Sequence, residues 1–217
     1  MVFADRADAG RRLAAALAGL GDQAPVVLGL PHGGVPVAAE VARALGAPLD
    51  VVVVRRLALP WQPELAVGAI CEDGTRFLDD DVVRSTGTTP TELSAVEVPA
   101  RAELHRRVTL LREHQPRRPL RGRTVVVVDD GVVTGASARV ACLSAREQGA
   151  ARVVLAVPVA STRAAEDLAA DVDDLVCLER APGLLAVGQA YRRFEQVSDD
   201  EVLRLLGARH DSAPAPQ

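Results

Sequence analysis

The stretch Thr124–Ser137, T-V-V-V-V-D-D-G-V-V-T-G-A-S, limits the possible folds more than any other part of this chain. Val125–Val128 is an unbroken β-branched run, which suits a strand covered on both faces, as in a parallel sheet. Asp129 and Asp130 follow where that strand should end. Gly131, Thr134, Gly135, Ala136 and Ser137 then make a small, hydroxyl-bearing turn. From Ala136 the apolar spacing through Val140, Ala141 and Leu143 becomes helical. A strand, a turn of small residues and a helix start form an anion site, because backbone N–H groups point outward and the helix N-terminus carries positive potential. Two carboxylates beside that anion suit the hydroxyls of an attached sugar, or a divalent cation that accompanies it. A phosphorylated sugar satisfies both halves. Asp-Asp-Gly is also a common turn, and Thr-Gly-Ala-Ser a common helix start, so a plain structural role competes with this reading.

Composition sets the frame for that motif. The chain has 217 residues and is 48% hydrophobic but only 2% aromatic, so it is expected to be one domain with an aliphatic core. Valine-rich runs alternate with alanine-rich ones, which favours an α/β fold. All 25 basic residues are arginine, which excludes a lysine-based mechanism. The net charge of −4 argues against a general nucleic-acid binder. Cys71, Cys142 and Cys177 form no C-x-x-C pair and read as reduced, buried thiols of a cytoplasmic protein. His32, His105, His114 and His210 lack metal-site spacing. No apolar run approaches the length that spans a bilayer.

Taken in order, the chain predicts a helix over residues 6–20 and a buried strand over 26–30. The second glycine turn, Gly29-Leu30-Pro31-His32-Gly33-Gly34, leads into a helix that ends near Gly46. It lacks the G-x-G-x-x-G of dinucleotide binders. Residues 49–54 read as a strand that runs into a turn bearing Arg55 and Arg56. At the carboxyl edge of a parallel sheet, two guanidinium groups would face the ligand crevice and suit a polyanion such as pyrophosphate; a solvated turn is the plainer alternative. Another strand is expected at residues 65–70. Thr89-Pro90-Thr91-Glu92 is a capping box with proline at the first helical position, and Pro99 is expected to kink or divide the helix it starts. Residues 72–120 as a whole form a charged helical arm, read as an insertion, a lid or a partner surface. Strands at 152–159 and 174–178 follow, with Ser161 and Ser198 as helix caps. Residues 208–217 read as a disordered tail.

Several separated stretches together resemble type I phosphoribosyltransferases, in particular a bacterial subgroup of about this length. They are Asp5-Arg6 with Ala9-Gly10, Gly29-Leu30-Pro31 with Gly33-Gly34, Arg55-Arg56 with Pro63-Glu64-Leu65, the central motif, Ala156–Ala160, and the end containing Val187-Gly188, Tyr191 and Phe194. The resemblance implies a parallel sheet flanked by helices, with a small hood and the helical arm, over residues 1–207. It implies transfer of 5-phosphoribosyl from phosphoribosyl pyrophosphate to a nitrogenous base, with Mg²⁺ and release of pyrophosphate. Asp129 and Asp130 would hold the ribose hydroxyls, directly or through Mg²⁺. Gly131 and Thr134–Ser137 would cradle the 5′-phosphate. Arg55 and Arg56 would sit in a pyrophosphate loop holding a non-proline cis peptide, with His32 and Gly33 as further phosphate contacts. A homodimer is implied as well.

Departures bear on the substrate. Val133 stands where enzymes acting on 6-oxopurines place an acid, which argues against hypoxanthine or guanine. His32 replaces an arginine usual in the subgroup, and Ala58 replaces a glycine. Tyr191, Phe194 and Trp61 are candidates to cover the base, with Phe194 expected in the core. A regulator that binds phosphoribosyl pyrophosphate without turning it over is the competing function.

Overall fold

Along Thr124–Val128, Val126 and Val128 join one hydrophobic cluster, while Val125 and Val127 join another on the opposite side of the sheet. The computed structural model, which describes residues 2–113 and 115–207, is built on that division. The tail expected at 208–217, with His114 and His210, lies outside the described residues.

Helix α1 (Arg6–Ala16) comes first, then strand β1 (Val26–Gly29), helix α2 (Gly34–Ala44) and strand β2 (Leu49–Val51). Strands β3 (Val54–Leu59), β4 (Gln62–Cys71) and β5 (Arg76–Leu78) precede helices α3 (Asp80–Thr86) and α4 (Pro90–Arg112). The chain continues through β6 (Thr124–Val128), α5 (Ala136–Glu147), β7 (Arg152–Ser161), α6 (Thr162–Ala169), β8 (Asp174–Ala181) and α7 (Asp199–Gly207). Five strands form a parallel sheet in the order β2-β1-β6-β7-β8. Residues of α1, α2 and α7 contribute to the cluster on one face, and those of α5 and α6 to the cluster on the other. This is the α/β fold expected, with a parallel sheet flanked by helices.

The strand order fixes where a ligand can bind. From β1 the chain crosses through α2 to β2 on one side. From β6 it crosses through α5 to β7 on the other side. The two connections part between β1 and β6, which opens a crevice at the carboxyl ends of these strands. The glycine turn after β1 and the acidic turn after β6 meet there.

Three expectations are corrected. Residues 49–54 do not form one strand. The parallel pairing ends at Val51, and β3 starts a separate antiparallel sheet, β3-β4-β5. Arg55 and Arg56 therefore lie on a strand, not in a turn. Leu57 and Leu59 are buried on it, the period-two pattern of a half-covered strand. Pro99 neither ends nor divides α4, which runs unbroken for 23 residues. A proline deprives the carbonyl four residues earlier of its donor. That carbonyl belongs to exposed Ala95, where water can replace the lost bond. Meanwhile Ala100, Leu104 and Leu111 anchor the same helix in the core. Its predicted capping box is present: Thr89 N–H donates to Glu92 Oε2 at 2.8 Å and Glu92 N–H to Thr89 Oγ1 at 3.3 Å. Finally, the helix expected over 6–20 stops at Ala16 and gives way to a 3₁₀ segment, Ala18–Gln23.

Candidate active site

The turn after β6 is built as a cradle. Gly135 is the N-cap of α5 and has φ +90°, a conformation that side chains with a Cβ rarely adopt. Because glycine has no side chain, none caps α5, and its first-turn N–H groups stay available for an anion. A cavity of about 490 Å³ opens over this turn. Gly131, Thr134, Gly135, Ala136 and Ser137 line it together with Asp129, Arg56 and Leu185–Val187.

A second cavity of about 260 Å³ adjoins the first, sharing Asp129, Arg56 and Ser137 with it. Its other walls include Pro31, Arg55 and Arg107. Arg107 comes from α4 and is paired with Glu103 at 2.9 Å. Arg55 and Arg56 thus both line the second cavity, although from a strand of the smaller sheet. The structure adds Arg107, which sequence reasoning left within an undivided charged arm.

The two acids have different surroundings. Asp129 is half-buried and borders both cavities. Its Oδ1 accepts the Asp130 backbone N–H at 2.9 Å. Burial, and behind it the charge on Asp130, push Asp129 well above the ordinary carboxylate range. Asp130 is buried and turns away to Arg6, whose Nε donates to Oδ2 at 2.8 Å. Burial raises Asp130 as well, against the opposing pull of Arg6. The Arg6 guanidinium lies 3.9 Å from the centroid of Phe194 and also donates to the Glu195 carbonyl at 2.7 Å. Tyr191 Oη donates to the Asp130 carbonyl at 2.5 Å.

Gly33 serves Asp130. A Cβ at this position would lie 1.9 Å from Asp130 Oδ2, so only glycine lets the two turns close on each other. Gly33→Ala is expected to destabilise the protein by about 1–3 kcal/mol through overpacking, or roughly 2–4 °C of Tm per kcal/mol at this size. Differential scanning calorimetry checks it; an unchanged Tm would show that Asp130 does not occupy that space.

His32 is not brought into either cavity. Its Nε2 pairs with Asp199 Oδ1 at 2.8 Å, tying the glycine turn to the first turn of α7. The non-proline cis peptide joins Pro31 to His32, so it lies in the turn after β1 and not in the segment of Arg55 and Arg56 where it was expected. Phe194 is 39% exposed, stacked between Arg6 and Tyr191, where burial in the core was expected. Trp61 is exposed, and neither it, Tyr191 nor Phe194 lines these two cavities. Arg6, which holds Asp130, and Leu185 and Ala186, which line the larger cavity, were not among the residues predicted for the site, and Val187 was marked only within Val187-Gly188. Arg6 was marked only by its place in the Asp5-Arg6 pair.

A family model described as phosphoribosyl transferase domain matches residues 3–184. Two proteins from strains of Mycobacterium tuberculosis, each carrying a provisional phosphoribosyl transferase name, are 54% identical to the chain over 209 residues. That alignment covers 96% of this chain and 47% of either relative, so the chain spans about half the length of the curated relatives it matches. The crystal structure of TT1426 from Thermus thermophilus superposes with a TM-score of 0.80 at 45% identity, covering 95% of this chain and 98% of that one.

Proposed function

This chain belongs to the phosphoribosyl transferase domain family, and from that premise we propose that it transfers 5-phosphoribosyl from phosphoribosyl pyrophosphate to a nitrogenous base, releasing pyrophosphate. One observation carries the reading: Asp129 stands where an uncapped phosphate cradle and an arginine-lined cavity meet. The 5′-phosphate would take the first-turn N–H groups of α5 with the hydroxyls of Thr134 and Ser137. Asp129 would accept from the ribose hydroxyls. Arg55, Arg56 and Arg107 would receive the pyrophosphate and stabilise the charge that develops as it leaves. Holding the sugar between these groups orients carbon 1 for attack.

Of the two acids expected to hold Mg²⁺, Asp129 would do so as the structure stands, since it borders both cavities, whereas Asp130 would have to give up its pair with Arg6 to join it. Bound there, the ion would add positive charge beside the leaving pyrophosphate. On the same reading residues 1–207 are one domain, and the protein is a cytoplasmic homodimer of nucleotide metabolism. Free Cys71, Cys142 and Cys177 support a reducing compartment. No described helix is long and apolar enough to cross a membrane.

The test is calorimetric titration with phosphoribosyl pyrophosphate, with and without Mg²⁺. Metal-dependent binding is expected, followed by pyrophosphate release when a base is added. No binding in either buffer would overturn the reading. One feature favours the regulator instead: no titratable side chain projects from the Leu185–Val187 wall. Binding with no pyrophosphate release from any acceptor would select the regulator.

A further inference from the structure

Only one acid of the Asp129-Asp130 pair faces the ligand cavities, and the protein's own cation holds the other. Asp130 lines neither cavity; its Oδ2 accepts from Arg6 Nε at 2.8 Å, with both side chains only 12% exposed. A pair this well enclosed is screened by salt far less than a surface pair. Two contacts outside the crevice steady the arginine. Its Nη1 donates to the Glu195 carbonyl at 2.7 Å, and the guanidinium lies 3.9 Å from the Phe194 ring centroid.

The same arginine has a second set of partners within the fold. Arg6 lines a third cavity, of about 260 Å³, that shares no residue with the two at the crevice. Glu195 and Glu201 line it as well, and neither forms an ion pair among the described residues. Asp5 is there too, but it is paired with Arg193. Exchanging one carboxylate for another keeps the guanidinium compensated, which a retreat into an apolar pocket would not.

Given the metal-dependent site proposed above, we propose that Arg6 is a latch on Asp130 that competes with the divalent cation. The guanidinium holds Asp130 while the site is free of metal, and turns to Glu195 and Glu201 when Asp130 joins the cation. Electrostatics favours this exchange over a shared carboxylate. A guanidinium left on Asp130 would stand beside a divalent ion held by the same acids, two like charges at close range. Moving it into the third cavity separates them and leaves each cation with anionic partners.

The probe is Mn²⁺ alone, which takes oxygen ligands in the octahedral geometry of Mg²⁺ and whose free form is counted by electron paramagnetic resonance. Arg6→Gln keeps a donor but removes the charge. It is expected to tighten Mn²⁺ binding by about tenfold or more, because the ion no longer displaces a charge-assisted partner. An arginine with a purely structural role predicts weaker or unchanged binding, and either result overturns the latch. Phe194→Leu tests the same point without touching the buried pair: loss of the stacking contact should tighten Mn²⁺ roughly two- to fivefold. Replacing both Glu195 and Glu201 by Gln should weaken Mn²⁺ binding in the native background and have no effect beside Arg6→Gln. Equal weakening in both backgrounds would show that Arg6 does not use the third cavity, and the latch would fail. Calorimetry of the native protein with phosphoribosyl pyrophosphate and Mg²⁺ keeps the two readings apart. If they bind and Arg6→Gln does not tighten Mn²⁺, the latch alone fails. If they do not bind, the site assignment fails and the latch with it.

Discussion

Arg112→Ala is expected to lower the melting temperature by roughly 6–20 °C, corresponding to about 3–5 kcal/mol for breaking a buried ion pair from one side. The Asp50 and Glu72 carboxylates are only 3% and 4% exposed, and Arg112 bonds to both at 2.7 Å. It also donates to the Val51 carbonyl at 2.7 Å and the Gln115 carbonyl at 3.2 Å. Burial works against the arginine's charge, but Glu72 and Asp50 more than offset it and leave Arg112 more firmly protonated than usual. Removing the side chain leaves two carboxylates out of water without their main cation. Some relief remains, because Arg117 still pairs with Glu72 and the Arg118 N–H with Asp50, which puts the expectation near the low end of the range. The consequence extends to the site. Asp50 lies on β2 and Glu72 follows β4, so this arginine joins the parallel sheet to the small sheet that carries Arg55 and Arg56. Thermal unfolding checks it, and a drop under about 2 °C would show that the remaining donors suffice.

Asp129→Asn is expected to weaken binding of phosphoribosyl pyrophosphate by roughly 10–100-fold. A hydrogen bond to a charged group is worth about 1.5–3 kcal/mol, and tenfold in affinity is about 1.4 kcal/mol. The fold should tolerate this change. The amide keeps an oxygen for the Asp130 N–H, and it removes a charge that burial disfavours. Tm is therefore expected to stay level or rise. Asp130→Asn behaves differently: it strips the partly buried Arg6 of its carboxylate and should cost stability as well as affinity. Calorimetric titration of both variants beside their melting curves separates the two roles. An Asp129→Asn protein with native affinity would remove Asp129 from the binding site.

The amino-acid order by itself determined the local units. Val125–Val128 is β-branched without interruption, so a doubly covered strand was legible there, and the parallel sheet with it. Gly135 and the small residues around it announced the cradle, because a positive φ and an uncapped helix start are local properties. Thr89 and Ser161 were legible as caps for the same reason: the partner atoms lie three residues away. The arginine pair was found by its chemistry but put in the wrong element, since β3 differs from a turn only through pairing with β4.

Tertiary structure alone decided the rest of the site. Arg6 reaches Asp130 across 124 positions of sequence, and no periodicity encodes such a partner. His32 resembled a phosphate ligand by its place in the glycine turn, yet the packing of α7 gave it Asp199 instead. Phe194 is apolar and was expected inside, but Arg6 and Tyr191 hold it at the surface. Arg107 was one of many arginines on α4 until that helix docked beside β3 and turned it into the second cavity. Local conformation follows from neighbours along the chain, whereas a site is made by side chains that only the packing of separate elements brings within a few ångströms.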